Sequence, residues 1–125
     1  MTKQAVHTES APAPVGAYSQ GVVSGPFFFS AGFGPQDPET GEIASTVGAQ
    51  TEQVLRNIEV TLAEQGLSLD DAVKVVAYLQ NLKTDFASYN EVYGRHFSEP
   101  YPVRTTVGAD LYDILVEIDV IAVRR

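Results

Sequence analysis

Cysteine and tryptophan are both absent from the 125 residues. Without a thiol there can be no disulfide, no thiolate nucleophile and no cysteine-ligated zinc. Histidine is scarce: His7 and His96 lie far apart and fit no HExxH or comparable spacing, so no metal is expected. Positive charge is scarce too. Eight Lys and Arg against sixteen Asp and Glu give a formal net charge of −8, which repels a phosphate backbone. Nucleic acid is therefore not an expected partner. No apolar run approaches the ~18 residues of a membrane span, and no basic-then-apolar leader opens the sequence. A cytoplasmic protein with no membrane partner is the expectation.

What is present is globular in composition, with 44% hydrophobic and 19% charged residues, and the length suits a single domain over 1–125. Residues 1–17, interrupted by Pro12 and Pro14, read as an extended, mobile arm with a short edge strand around Gln4 to His7. Tyr18 to Val23 and Pro26 to Ala31 flank a Ser24-Gly25 turn, the pattern of a β-hairpin. The stretch from Gly32 to Gly41 is dense in turn formers and is a loop; it lacks the lysine of a phosphate-binding P-loop.

Val47, Val54, Leu55, Ile58 and Leu62 recur at helical spacing and predict a helix over Val47 to Gln65. Ser45 or Thr46 would cap its start and Gly66 its end. Ala72 to Leu79 reads as a strand with Val73, Val75, Ala77 and Leu79 on one face. A second helix is predicted from about Asp85 to Phe97, striped by Phe86, Tyr89, Tyr93 and Phe97 and capped by Thr84 or Asp85. His96 then falls at the helix end, beside its C-terminal dipole.

Two β-branched segments close the chain, Tyr101 to Gly108 and Leu115 to Val123. The order β-β-α-β-α-β-β predicts an α+β fold, a single mixed sheet with two helices on one face. Its strands are apolar on both faces, as at Phe27 to Phe29, so the uncovered face predicts a homo-oligomer packed sheet to sheet. Strand alternation puts Arg104 on one face with Thr106, and Glu117 on one face with Asp119. Charged groups in apolar strands are costly to bury without a partner. Spacing alone leaves two readings open, a reactive site or an ion pair of Arg104 with Glu117, Asp119 or a neighbouring chain.

Several motifs together resemble the Rid family, the reactive intermediate deaminases of RidA/YjgF type. They are Gly16-Ala-Tyr-Ser-Gln-Gly21, Ser30-Ala-Gly32, Pro35 to Glu42, Pro102-Val-Arg-Thr-Thr-Val107 and Val116 to Ala122, in family order across the whole chain. The resemblance implies a chorismate-mutase-like fold, a homotrimer with clefts between subunits, and hydrolysis of imines and enamines such as 2-iminopropanoate and 2-aminoacrylate to 2-oxo acids and ammonia. No metal, nucleotide or prosthetic group is implied as a cofactor. Arg104 matches the arginine that holds the substrate carboxylate, a task suited to a planar fork of N–H donors. Glu117 matches the glutamate that positions water and relays protons.

Tyr18, Gly32, Asn90 and Thr106 match further substrate-binding positions. For the first three an ordinary role remains open: interface packing for Tyr18, relief of backbone strain for Gly32, a helix-flank hydrogen bond for Asn90. Thr106 stands where many members have cysteine, although its backbone N–H would survive that exchange. Phe33 replaces a polar amide at the loop entrance, and Asp110 to Ile114 replaces the usual Leu-Pro linker. A non-catalytic protein binding 2-oxo acids or amino acids is the alternative reading.

Overall fold

A computed structural model describes residues 2–124. Strands β1 (Gln4–Val6), β2 (Gly21–Ser24) and β3 (Phe27–Ser30) precede helix α1 (Val47–Ala63). After a 3-10 turn come β4 (Ala72–Leu79), helix α2 (Leu82–Gly94), β5 (Val103–Gly108) and β6 (Val116–Val123). All six strands form one mixed sheet in the order β1-β2-β3-β6-β4-β5, with β4 and β5 the parallel pair. This is the α+β arrangement expected, with two helices on one face. Among the described residues no helix is long and apolar enough to cross a membrane.

Local chemistry accounts for most element ends. The Thr46 hydroxyl accepts from the Ala49 N–H at 3.2 Å, so Thr46 rather than Ser45 caps α1. Gly66 has φ +69° and Gly25 has φ +57°, left-handed values that favour glycine after a helix and in a hairpin turn. Helix α2 departs from expectation. It begins at Leu82 after Asn81, so Thr84 and Asp85 lie inside its first turn, and it stops at Gly94. Phe97 lies beyond the helix yet continues its stripe, stacked on Tyr93 at 4.4 Å between ring centroids. His96 lies two residues past the end of α2 and pairs with Glu52 of α1.

The core lies between the helices and the sheet, where Val54, Leu55, Ile58 and Leu62 meet Phe28, Val75, Ala77, Leu79, Val116 and Ile118. Val73 is not part of that face. A register shift between Ala72 and Lys74 bulges it out, 45% exposed, and passes its expected place to Ala72. On the opposite face Phe27, Phe29, Val103 and Val107 remain exposed, as expected of strands that are apolar on both faces.

The amino-terminal arm is fastened rather than mobile. Beyond the β1–β2 pairing, buried Gln20 donates to the carbonyls of Thr8 (3.0 Å) and Pro12 (2.9 Å) and accepts from the Thr8 N–H at 2.8 Å. Removing such an amide leaves buried backbone groups unpaired at a cost of about 1–3 kcal/mol. Gln20→Ala is therefore expected to lower the urea midpoint at fixed protein concentration and to speed amide exchange at Thr8. An unchanged midpoint with unchanged exchange would show that the arm is held by something else.

Candidate active site

Position in the sheet separates the two charged residues. β4 lies between β5 and β6, so Arg104 and Glu117 are not hairpin partners. Arg104 is level with Val75 of β4, which is buried beneath the helices, and so lies on the helix face. Glu117 is flanked by Val116 and Ile118, both buried under the helices, and so faces the other way. The ion pair between them is excluded within one chain. Asp119, level with Val76, shares the face of Glu117.

Around Arg104 the second helix supplies a cradle. Its guanidinium lies over the Tyr93 ring at 4.5 Å and within 5.6 and 5.9 Å of the Tyr89 and Phe86 rings. Such a stack holds a cation by the negative faces of the rings. One Arg104 N–H donates to Asn90 Oδ1 at 2.8 Å, which fixes the rotation of the fork. A cavity of about 420 Å³ opens here, lined by Asn90, Tyr93, Tyr101, Pro102 and Arg104. Thr106, on the same face as Arg104, forms a 3.0 Å hydroxyl–hydroxyl hydrogen bond with Tyr89. Burial raises the Tyr93 phenol to about 12 against the pull of Arg104, so it stays neutral beside the cation.

Glu117 belongs to a second cavity, of about 310 Å³, with Tyr18, Gly32, Phe33, Gln36 and Ile114 among its walls. Phe33 exchanges two backbone hydrogen bonds with Ile118, at 2.9 and 3.2 Å, which lays the loop along β6. That contact brings Gly32 against the Glu117 side chain. A Cβ on Gly32 would sit 2.5 Å from a carboxylate oxygen, so glycine here is what lets the carboxyl occupy its place. Burial first, and the neighbouring Asp119 carboxyl second, raise the Glu117 pKa above its ordinary value. Tyr18, half-exposed, receives the Val15 N–H on its phenol oxygen at 3.2 Å.

The six candidate residues thus fall into two groups: Arg104, Asn90 and Thr106 on the helix face, and Glu117, Gly32 and Tyr18 at the other cavity. Three buried amides hold the second group's surroundings, and composition offers no signal for them. Asn57 of α1 donates to the carbonyls of Gly34 and Gln36, both at 3.0 Å. Gln50 accepts from the Leu115 N–H at 2.8 Å and donates to the Ala44 carbonyl at 2.7 Å. Gln20 pins the Pro12 side of the cavity. Among the described residues no cluster of three His, Cys, Asp or Glu side chains is placed to hold a metal.

The raised Glu117 pKa has a consequence for stability. A carboxyl whose folded value is raised favours the folded state below its unfolded value, near 4.5, and loses that benefit as pH rises through the folded value. Glu117→Gln, which cannot ionise, is expected to melt at a higher temperature than the parent at pH 7. The difference should shrink as the pH falls towards 4.5. A gain that stays constant with pH would contradict this origin.

Comparison with known proteins shows the family. The family model described as Endoribonuclease L-PSP matches residues 8–124. A RutC family protein of Pyrococcus abyssi is 46% identical over all of both chains. The 2-iminobutanoate/2-iminopropanoate deaminase of Salmonella typhimurium is 38% identical, over 96% of this chain and 97% of its own. The crystal structure of Escherichia coli TdcF with bound serine superposes with a TM-score of 0.91 at 36% identity, covering 98% of this chain and 99% of that one. On motif, matched length and fold alike, this chain belongs to the Rid (RidA/YjgF) family, whose family model bears the description Endoribonuclease L-PSP.

Proposed function

We propose that this protein hydrolyses small 2-imino acids, of the 2-iminobutanoate and 2-iminopropanoate type, to 2-oxo acids and ammonia. The observation that carries this reading is Glu117, a carboxyl of raised pKa held against Gly32 in a cavity. As a carboxylate it takes a proton from the water that attacks the imine carbon. Once protonated it returns that proton to the nitrogen, giving the carbinolamine. It then takes the carbinolamine hydroxyl proton and passes it to the same nitrogen, which leaves as ammonia as the oxygen becomes the oxo group. A raised pKa keeps both forms of the group accessible nearer neutral pH than an ordinary carboxylate would.

Arg104 holds the substrate carboxylate. Asn90 accepts one of its five N–H donors, which leaves a fork able to bind both carboxylate oxygens. Tyr18, Gly32 and Thr106 complete the binding surface, the last through its backbone N–H. The names of the relatives support the chemistry, and the serine bound in the TdcF structure is a carboxylate-bearing ligand of that protein.

Because Arg104 and Glu117 occupy opposite faces of one sheet, a site using both takes them from two chains. The exposed face bearing Phe27, Phe29, Val103 and Val107 is the surface on which copies would meet, in the trimer that the family resemblance implies. The description of the matched family names an endoribonuclease, yet a net charge of −8 opposes RNA binding. RNA affinity persisting at physiological salt would favour that reading instead.

A coupled assay, in which a pyridoxal-phosphate lyase generates the imine, tests the proposal. Arg104→Ala is expected to lower kcat/KM by roughly ten- to a hundredfold, the worth of a charge-assisted hydrogen bond. Glu117→Gln should lower kcat by about a hundredfold or more. A parent protein that binds 2-oxobutanoate without accelerating imine loss would be a binding protein rather than an enzyme. Refolding equal amounts of the two impaired variants together should restore about a quarter of the parent activity, since one site in four would draw both intact residues. No recovery on mixing would place the whole site within one chain.

A further inference from the structure

Tyr89 takes no direct part in carboxylate binding or proton transfer, yet it contacts both Arg104 and Thr106 on the helix face. The residue is 0% exposed, and its ring is one of those beneath the Arg104 guanidinium. Its phenol oxygen is 3.0 Å from Thr106 Oγ1, a distance at which either hydroxyl could donate. Surroundings decide the direction. A buried phenol hydrogen needs an acceptor, and leaving it without one costs about 1–3 kcal/mol. Arg104 cannot serve, because a guanidinium carries donors only. Thr106 Oγ1 is the acceptor in reach. The threonine is only partly buried, which leaves its own hydrogen free to go to solvent or to a ligand.

We propose that Tyr89 is a positioning residue: by donating to Thr106 Oγ1, it leaves the Thr106 hydroxyl to donate to the ligand carboxylate held on Arg104. The geometry suits a shared acceptor. Arg104 and Thr106 lie two residues apart on one strand and one face, and the guanidinium and the Thr106 hydroxyl border the same phenol. A carboxylate has about four acceptor positions, more than one fork can fill. The positive charge of Arg104 also favours the phenol's lone pairs over its hydrogen on that side, in keeping with donation to Thr106. Tyr89 then acts through Thr106 and never touches the ligand.

This inference rests on the carboxylate-binding reading of Arg104. Calorimetry with 2-oxobutanoate on the full-length protein tests it. Tyr89→Phe keeps the ring and removes one oxygen; Thr106→Val removes the hydroxyl at similar volume; Thr106→Ser keeps it. Tyr89→Phe and Thr106→Val should each weaken binding about two- to tenfold, the range of a single hydrogen bond. Thr106→Ser should restore affinity. The double variant Tyr89→Phe with Thr106→Val should be no weaker than the weaker single, since the two hydroxyls act as one unit. In the coupled assay the loss should appear in KM with kcat nearly retained. Parent-like affinity in Tyr89→Phe, additive losses in the double variant, or a Thr106→Ser as weak as Thr106→Val would each overturn the inference. If Arg104→Ala abolishes binding while Tyr89→Phe leaves it unmoved, this inference alone falls. A parent protein that binds no 2-oxobutanoate removes the carboxylate reading along with it.

Discussion

The parallel pairing of β5 with β4 is the constraint on which the rest depends. Two parallel neighbours cannot be joined by a tight turn, so the chain crosses over through α2. That crossover lays α2 against β5, and its Asn90, Tyr89 and Tyr93 become the environment of Arg104. It also leaves β5 as an edge strand and gives β6 the place between β3 and β4. Glu117 thereby lies beside the loop after β3, where Phe33 bridges to Ile118 and Gly32 meets the carboxyl. One topological choice positions both charged groups.

Their electrostatic settings are opposite in kind. Arg104 rests on aromatic faces whose quadrupoles favour its charge, beside phenols that burial keeps neutral. Glu117 is surrounded by features that disfavour its charge: partial burial and a second carboxyl two residues on. Asp119 is pushed the same way by burial, with Lys74 opposing. A permanent cation and an easily protonated acid suit holding an anion and moving a proton, respectively.

Much of this is legible in residue patterns, and the failures have identifiable causes. The hairpin around Gly25 and the helix begun by Thr46 follow from local backbone chemistry, which a sequence displays. Simple alternation misplaces Val73, because a bulge leaves no mark in a pattern of apolar residues. For the start of α2, the good capping chemistry of Thr84 and Asp85 misleads, whereas Asn81, the actual cap, makes no side-chain cap bond. Strand order is beyond reach, since consecutive β5 and β6 carry no mark that β4 separates them. Candidate residues can be carried over by motif; their division between two faces of the sheet requires the register. Asn90 reads as a flank residue because its partner Arg104 is brought to it only by the crossover.

Gln20, Gln50 and Asn57 divide labour with the cavity that they surround. All three donate their side-chain N–H groups to backbone carbonyls of the arm and loops, so the positions of those segments are set independently of the side chains they display. Val15 and Tyr112, 94% and 92% exposed at the cavity rim, are displayed in this way and support little else. Such an arrangement decouples adaptation from foldability. Rim residues can be exchanged while the amides preserve the frame, so substitution at this corner of the protein costs little in foldability.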